Sequence, residues 1–200
     1  SLSTGSPNAC NQCHTEESAD WAYSALLDWG VRFTGQRNHP ARAFHAADRG
    51  DVRATPVLLE TANNQANSAL LRASAISHLS ALVPARTASY LSLWLSSSDP
   101  LIRQAAVEAA GHLPPEQRLP ILTPVLEDPV LGVRMIAAEQ LADLPAANLS
   151  TQAERVAALN KEYRKVQSQH LDMPSVLAQL SLFQLAQGET QAAETGLLSA

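Results

Sequence analysis

Along this chain apolar residues return at intervals of three and four far more often than they alternate, the spacing of a helical face and not of a strand. The pattern predicts a helix over 15–29, with Trp21, Ala22, Ala25, Leu26 and Trp29 on one face and Gly30 as its stop. Helices over 40–49 and 52–61 are expected next, followed by segments that align on one another. Matching Arg72, Arg103 and Arg134, 31 positions apart, also matches Leu71, Ile102 and Val133, then Ala75, Ala106 and Ala137, then Leu82, Leu113 and Leu144. Shorter helical stretches over 87–97 and 116–127 lie between, with Asp99-Pro100 and Asp128-Pro129 as turn and helix-start signals. A helix pair cannot bury its own apolar face, so stacked pairs sharing one core are expected, a right-handed α-solenoid of HEAT-like units. The matched arginines read as structural, each bonding a neighbouring turn or acid. Arg49-Gly50-Asp51 reads as a Gly-centred turn between helices.

Beyond residue 148 the register changes. One long helix is predicted over 151–170, opened by a Thr151/Glu154 capping box, with Val156, Leu159, Tyr163 and Val166 on one face. From Pro174, the residues Leu177, Leu180, Gly188, Ala193, Leu197 and Ala200 fall at tetratricopeptide (TPR) spacing. The sequence stops just inside the second helix of that repeat, so a continuation or a neighbouring molecule is expected to cover its apolar end.

Composition agrees with the periodicity. There are 34 Ala and 29 Leu against 15 Val plus Ile, which favours an all-α fold over a sandwich, barrel or parallel sheet. No apolar run approaches the ~20 residues of a membrane-spanning helix. The net charge is -5, and the 12 Arg and 2 Lys are scattered, so no nucleic-acid partner is expected.

The chemistry lies in one pentapeptide, Cys10-Asn11-Gln12-Cys13-His14, which holds both cysteines of the chain. C-x-x-C-H is the attachment signature of a c-type haem: the two thiols add to the two porphyrin vinyl groups and the adjacent histidine reaches the iron. Three other readings use part of the same residues. A redox dithiol normally follows a strand, and none is predicted here; a structural zinc site needs four ligands; a plain disulfide has no use for the histidine. Five of nine aromatic residues, Trp21, Tyr23, Trp29, Phe33 and Phe44, lie in the first 44 positions and could wall a porphyrin or anchor a core. Trp21 is the first candidate for haem contact.

A second axial ligand would come from His39, His45, His78, His112, His170, Met135 or Met173. His39 precedes Pro40 at a helix start, a loop position from which a ring can swing, and is preferred, with His45 next. Arg42, Arg49 and His45 share a helix face, where the arginines could pair with haem propionates or simply be solvated. The remaining histidines lie within helical repeats and read as structural. The predicted organisation is a c-type haem segment over 1–38, HEAT-like pairs over 39–147, and the long helix with an incomplete TPR-like repeat over 148–200.

With PNACNQCH, Trp21, Trp29, HPARAFHAADRGD from His39 and RASAISHL from Arg72, the chain resembles bacterial multihaem c-type cytochromes in which a haem segment precedes HEAT-like and TPR repeats. The resemblance implies Cys10 and Cys13 as attachment residues, His14 as proximal ligand and His39 as distal ligand. His45 falls where the family usually has a small residue. It also implies a periplasmic or extracellular bacterial protein whose signal peptide is already absent. This chain has one haem motif where family members commonly carry more upstream, so its electrons must pass to redox partner proteins, further haem domains, or copies of itself in an oligomer or filament. The expected function is electron transfer through one bis-histidine haem. The alternatives are an interaction scaffold with a structural haem, or a subunit of a multihaem oxidoreductase. No motif supplies an acid or base beside an open iron face, so a carrier is favoured over a catalyst.

Overall fold

The structure, a computed structural model, describes residues 4, 6–32 and 39–200, and every regular element among them is helical. In chain order the α-helices are α1 (Cys10–Cys13), α2 (Ala19–Asp28), α3 (Pro40–Asp48), α4 (Thr55–Asn63), α5 (Ala69–Leu82), α6 (Pro84–Thr87), α7 (Leu91–Leu95), α8 (Pro100–Ala110), α9 (Pro115–Leu122), α10 (Leu131–Leu141), α11 (Ala146–Leu149), α12 (Ala153–Gln167), α13 (Pro174–Ala186) and α14 (Thr190–Leu197). None is long and apolar enough to cross a membrane.

The pairs are α4 with α5, α7 with α8, and α9 with α10. The second helix of each pair packs on the next, so α5, α8, α10 and α12 form one continuous layer. Its contacts are small: Ala75, Ala106 and Ala137, the matched alanines, are each 0% exposed. Close helix approach therefore explains the alanine surplus. Two large anchors finish the core. Trp94 is 1% exposed, donates from Nε1 to Asn63 Oδ1 (3.0 Å) and stacks on Tyr90; Tyr163 is fully buried, donates to Glu139 Oε1 (2.8 Å) and stacks on Phe183. Buried Trp and Tyr need such partners for their polar atoms.

The matched arginines form a ladder. Arg72 Nε donates to Ala62 O (3.0 Å). Arg103 grips Asp128 with two bonds (2.7 and 2.9 Å) and also donates to Ser97 O and Ser98 O. Arg134 grips Glu162 (2.9 and 2.6 Å) and donates to Asp128 O. A fourth rung, Arg164 on Glu189 (2.6 Å), continues it into the region of changed register. Burial by itself would raise the Asp128 carboxyl, but Arg103, the Val130 amide and Arg134 outweigh it and hold the group below the usual carboxylate range. The structural reading of these arginines therefore stands for all three matched positions.

Several boundaries differ from the periodicity. The Thr151/Glu154 capping box does not form: a 3-10 turn occupies Ser150–Gln152, and α12 starts at Ala153 without a side-chain cap. The stretch 87–97 is broken by a 3-10 turn at Ala88–Tyr90, and 116–127 becomes α9, carrying Pro120 inside it, then a 3-10 turn at Thr123–Val125. Pro120 and Pro124 each lack the N–H that a continuing α-helix would use. The first predicted helix starts four residues late, because Ser18 caps it by accepting from Trp21 N (3.1 Å). Gly30 and Gly50 both stand at positive φ, +84° and +74°, which ends α2 and α3 where the glycines predicted. Asp51 then caps the next turn through Arg53 N, so the Arg-Gly-Asp triplet is helix punctuation.

Candidate functional site

Residues 8–17 fold around the two cysteines by local hydrogen bonds. The Asn8 side chain accepts from Asn11 N (3.1 Å), which starts the single turn of α1, and His14 N closes that turn on Cys10 O (2.9 Å). Asn11, the residue after the first cysteine, ties the exit: its Nδ2 donates to Glu17 O (2.6 Å) and His14 O (3.3 Å), while its Oδ1 accepts from Asn8. Three positions apart on a helical turn, Cys10 and Cys13 lie on one side. Both are free thiols, Cys10 half-buried and Cys13 exposed. The exposed His14 ring rests against Trp21, with centroids 4.8 Å apart. The roles of Asn8, Asn11 and Ser18 were not read from the sequence; for Asn8 and Ser18 a signal existed, an amide or hydroxyl residue three before the backbone N–H it caps.

Beside this turn Trp21 is partly uncovered, and further along α2 and past its end other apolar side chains are exposed too. Trp21 is 36% exposed, Leu27 39%, Trp29 74% and Val31 38%, whereas Ala22 is buried. Trp29 is therefore not a core anchor, and the main core, which runs from Ala43 to Phe183, takes nothing from α2. Phe33 lies outside the described residues.

His39 is the N-cap of α3: its Nδ1 accepts from Ala41 N (3.2 Å). An imidazole accepting at Nδ1 carries its proton on Nε2. Coordination of iron through Nε2 needs the proton on Nδ1 instead, so capping and ligation by this ring exclude each other. His39 and Arg42 line a cavity of about 360 Å³ with Ala43, Ala46, Asp51, Arg53, Ala54 and Val57. Arg53 holds the Asp51 carboxyl down at about 2 by hydrogen bonding. His45, half-buried further along α3, does not line this cavity. No hydrogen bond, ion pair or ring contact among the described residues joins His14 to His39. His78 is structural, with Nε2 3.0 Å from Asp48 Oδ1, Nδ1 2.8 Å from Ser74 O, and Phe44 against its ring, tying α3 to α5. Met135 packs on the core; His112, His170 and Met173 are exposed.

The donor set fits a covalently held haem: two free thiols on one side of a turn, an exposed histidine ring, and the flat, partly exposed Trp21 against it. It does not converge on a bare ion, since among the described residues no three His, Cys, Asp or Glu side chains gather to hold a metal.

Compared with known families, residues 55–142 match HEAT repeats, so this stretch is a HEAT-repeat region. That region spans α4 to α10 and leaves the cysteine turn outside it. No protein of curated function and no solved structure matches the chain.

Proposed function

We propose that the chain is a c-type cytochrome that carries electrons: one haem held by Cys10 and Cys13, on a HEAT-repeat scaffold that docks protein partners. The observation that carries this reading is the turn itself, which presents two free thiols on one side and the His14 ring beside them. His14 would be the proximal ligand, with Trp21 fixing the plane of its ring and Asn11 its backbone. His39 would be the distal ligand once its ring leaves the amide of Ala41, and Arg42 stands beside it to pair with a propionate; His45 is the second choice. The bound haem would supply one-electron exchange without a substrate site at the iron. The exposed part of Trp21, against the His14 ring, would then be covered by porphyrin. The reading implies attachment outside the bacterial cytoplasm, and electron exchange with a redox protein, a further haem domain or a neighbouring copy.

Production of the chain with a c-type maturation system tests this. Haem retained through denaturation, one per chain, and lost in Cys10→Ser/Cys13→Ser is the expected result. A chain that leaves maturation without covalent haem would sink the proposal. A low-spin spectrum that turns high-spin in His39→Asn supports the distal assignment; an unchanged spectrum moves it elsewhere. The coarser reading, a HEAT-repeat scaffold for protein partners, rests on residues 55–142 and does not depend on that outcome.

A further inference from the structure

Both lysines of this acidic chain, Lys161 and Lys165, stand four residues apart on α12 and line the same groove. The groove, of about 720 Å³, runs between the turn after α9, α10 and α12. Leu126 and Leu159, each 3% exposed, close it from below, and the exposed Ala158 lines it. Most of the charge on its walls is already paired. Arg155 bonds Glu127 (2.8 Å) at one end and Arg134 bonds Glu162 (2.9 and 2.6 Å) at the other. Glu154 lies in the first turn of α12, where the helix dipole favours an acid.

What remains is Lys161 and Lys165. Both are exposed, and neither forms an ion pair among the described residues, although Lys165 helps hold the Glu162 carboxyl low. Two like charges one helical turn apart repel. A groove lined by the exposed Ala158 and carrying two ammonium groups without an ion pair complements a ligand that is anionic on one side and apolar on the other.

We propose that this groove docks an acidic, amphipathic peptide segment of a protein partner. Its carboxylates pair with Lys161 and Lys165, and its apolar side chains lie over the exposed Ala158. The site is independent of whether Cys10 and Cys13 carry haem. It gives the scaffold a defined face and a partner class, since charge complementarity at an interface rim sets encounter rate and selectivity.

The test is fluorescence anisotropy with a fluorescein-labelled peptide of repeating Glu-Glu-Leu, alongside the same peptide with Lys for Glu. The Glu peptide should bind saturably, more weakly as salt rises. Lys161→Glu/Lys165→Glu should weaken it by roughly tenfold or more, and Lys161→Gln/Lys165→Gln by less, with helical circular dichroism unchanged. Arg86→Glu, a charge reversal on exposed α6, should stay within about twofold. Equal binding of the Lys peptide, no saturable binding, or indifference to the double reversal overturns the proposal. So does sedimentation in which the double reversal abolishes self-association, which would assign the face to a second copy.

Discussion

Trp29 and Trp94 are the same side chain in opposite circumstances, 74% exposed after α2 and 1% exposed on α7. Around Trp94 everything is provided from within: Asn63 accepts from its indole N–H, Tyr90 covers one face and neighbouring helices the rest. Around Trp29 nothing comparable is provided among the described residues. The helices from α3 to α13 thus complete one core between them, while the N-terminal segment displays Trp29 and part of Trp21, the latter against the His14 ring. The difference teaches that Trp21 and Trp29 serve something other than the solenoid core, whereas Phe44, from the same aromatic-rich stretch, packs on that core.

The largest expected effects break this contrast directly. Trp94→Ala should cost about 3–5 kcal/mol of unfolding free energy, the range for emptying a buried aromatic site. Trp29→Ala in the haem-free chain should change stability by less than about 0.5 kcal/mol, as for an exposed residue. Urea denaturation of the two variants checks both, and a comparable loss from Trp29→Ala would mean that α2 has a packing partner after all. Next comes the ladder. Arg103→Ala leaves Asp128 buried without its two-bond partner and should cost about 3 kcal/mol. Its pH dependence has a definite sign. Asp128 and Glu162 are held below the usual carboxylate range, so they stabilise the fold above that range. That contribution is lost as pH falls through their lowered values. Acid titration of the melting temperature should therefore be flatter in Arg103→Ala than in the parent.

How legible these features were depends on the physics behind each. The 31-residue period showed because Arg72, Arg103 and Arg134 come with matched alanines, and a helix contact that admits only Ala recurs wherever the packing recurs. The acids that Arg103 and Arg134 grip did not show. Asp128 and Glu162 lie 25 and 28 residues further on, and many acids lie nearer in sequence. The cysteine turn was legible as C-x-x-C-H, but Asn11 was not, since an amide at that position signals nothing until the chain folds back to Glu17. Trp29 and Trp94 could not be told apart either. Periodicity reports which residues share a face; it is silent on whether a second element covers it.

A smaller effect separates the two roles of His39 at the edge between the regions. His39→Ala should cost about 1 kcal/mol by uncapping α3, whereas His39→Asn restores a capping acceptor and should cost only a few tenths. In the haem-loaded protein both variants should alter the spectrum alike. A spectrum unchanged in both would move the ligand away from this ring, and equal stability of the two variants would remove the capping role.

The smallest effect concerns Glu139, within the self-sufficient half. Burial is the main cause raising its carboxyl, opposed by the bond from Tyr163 and assisted by Glu108, the equivalent residue one repeat earlier, which burial also raises. A raised carboxyl favours the folded state below the usual carboxylate range, and the advantage is lost as pH rises through the raised folded value. Glu139→Gln removes the charge while keeping an oxygen to accept from Tyr163. At neutral pH it should raise the melting temperature slightly, by well under 1 kcal/mol in stability because the group still touches water. The gap should close below about pH 4, where the parent carboxyl is protonated in both states. A gap of the same size at acid pH would show that the gain comes from packing and not from the lost charge.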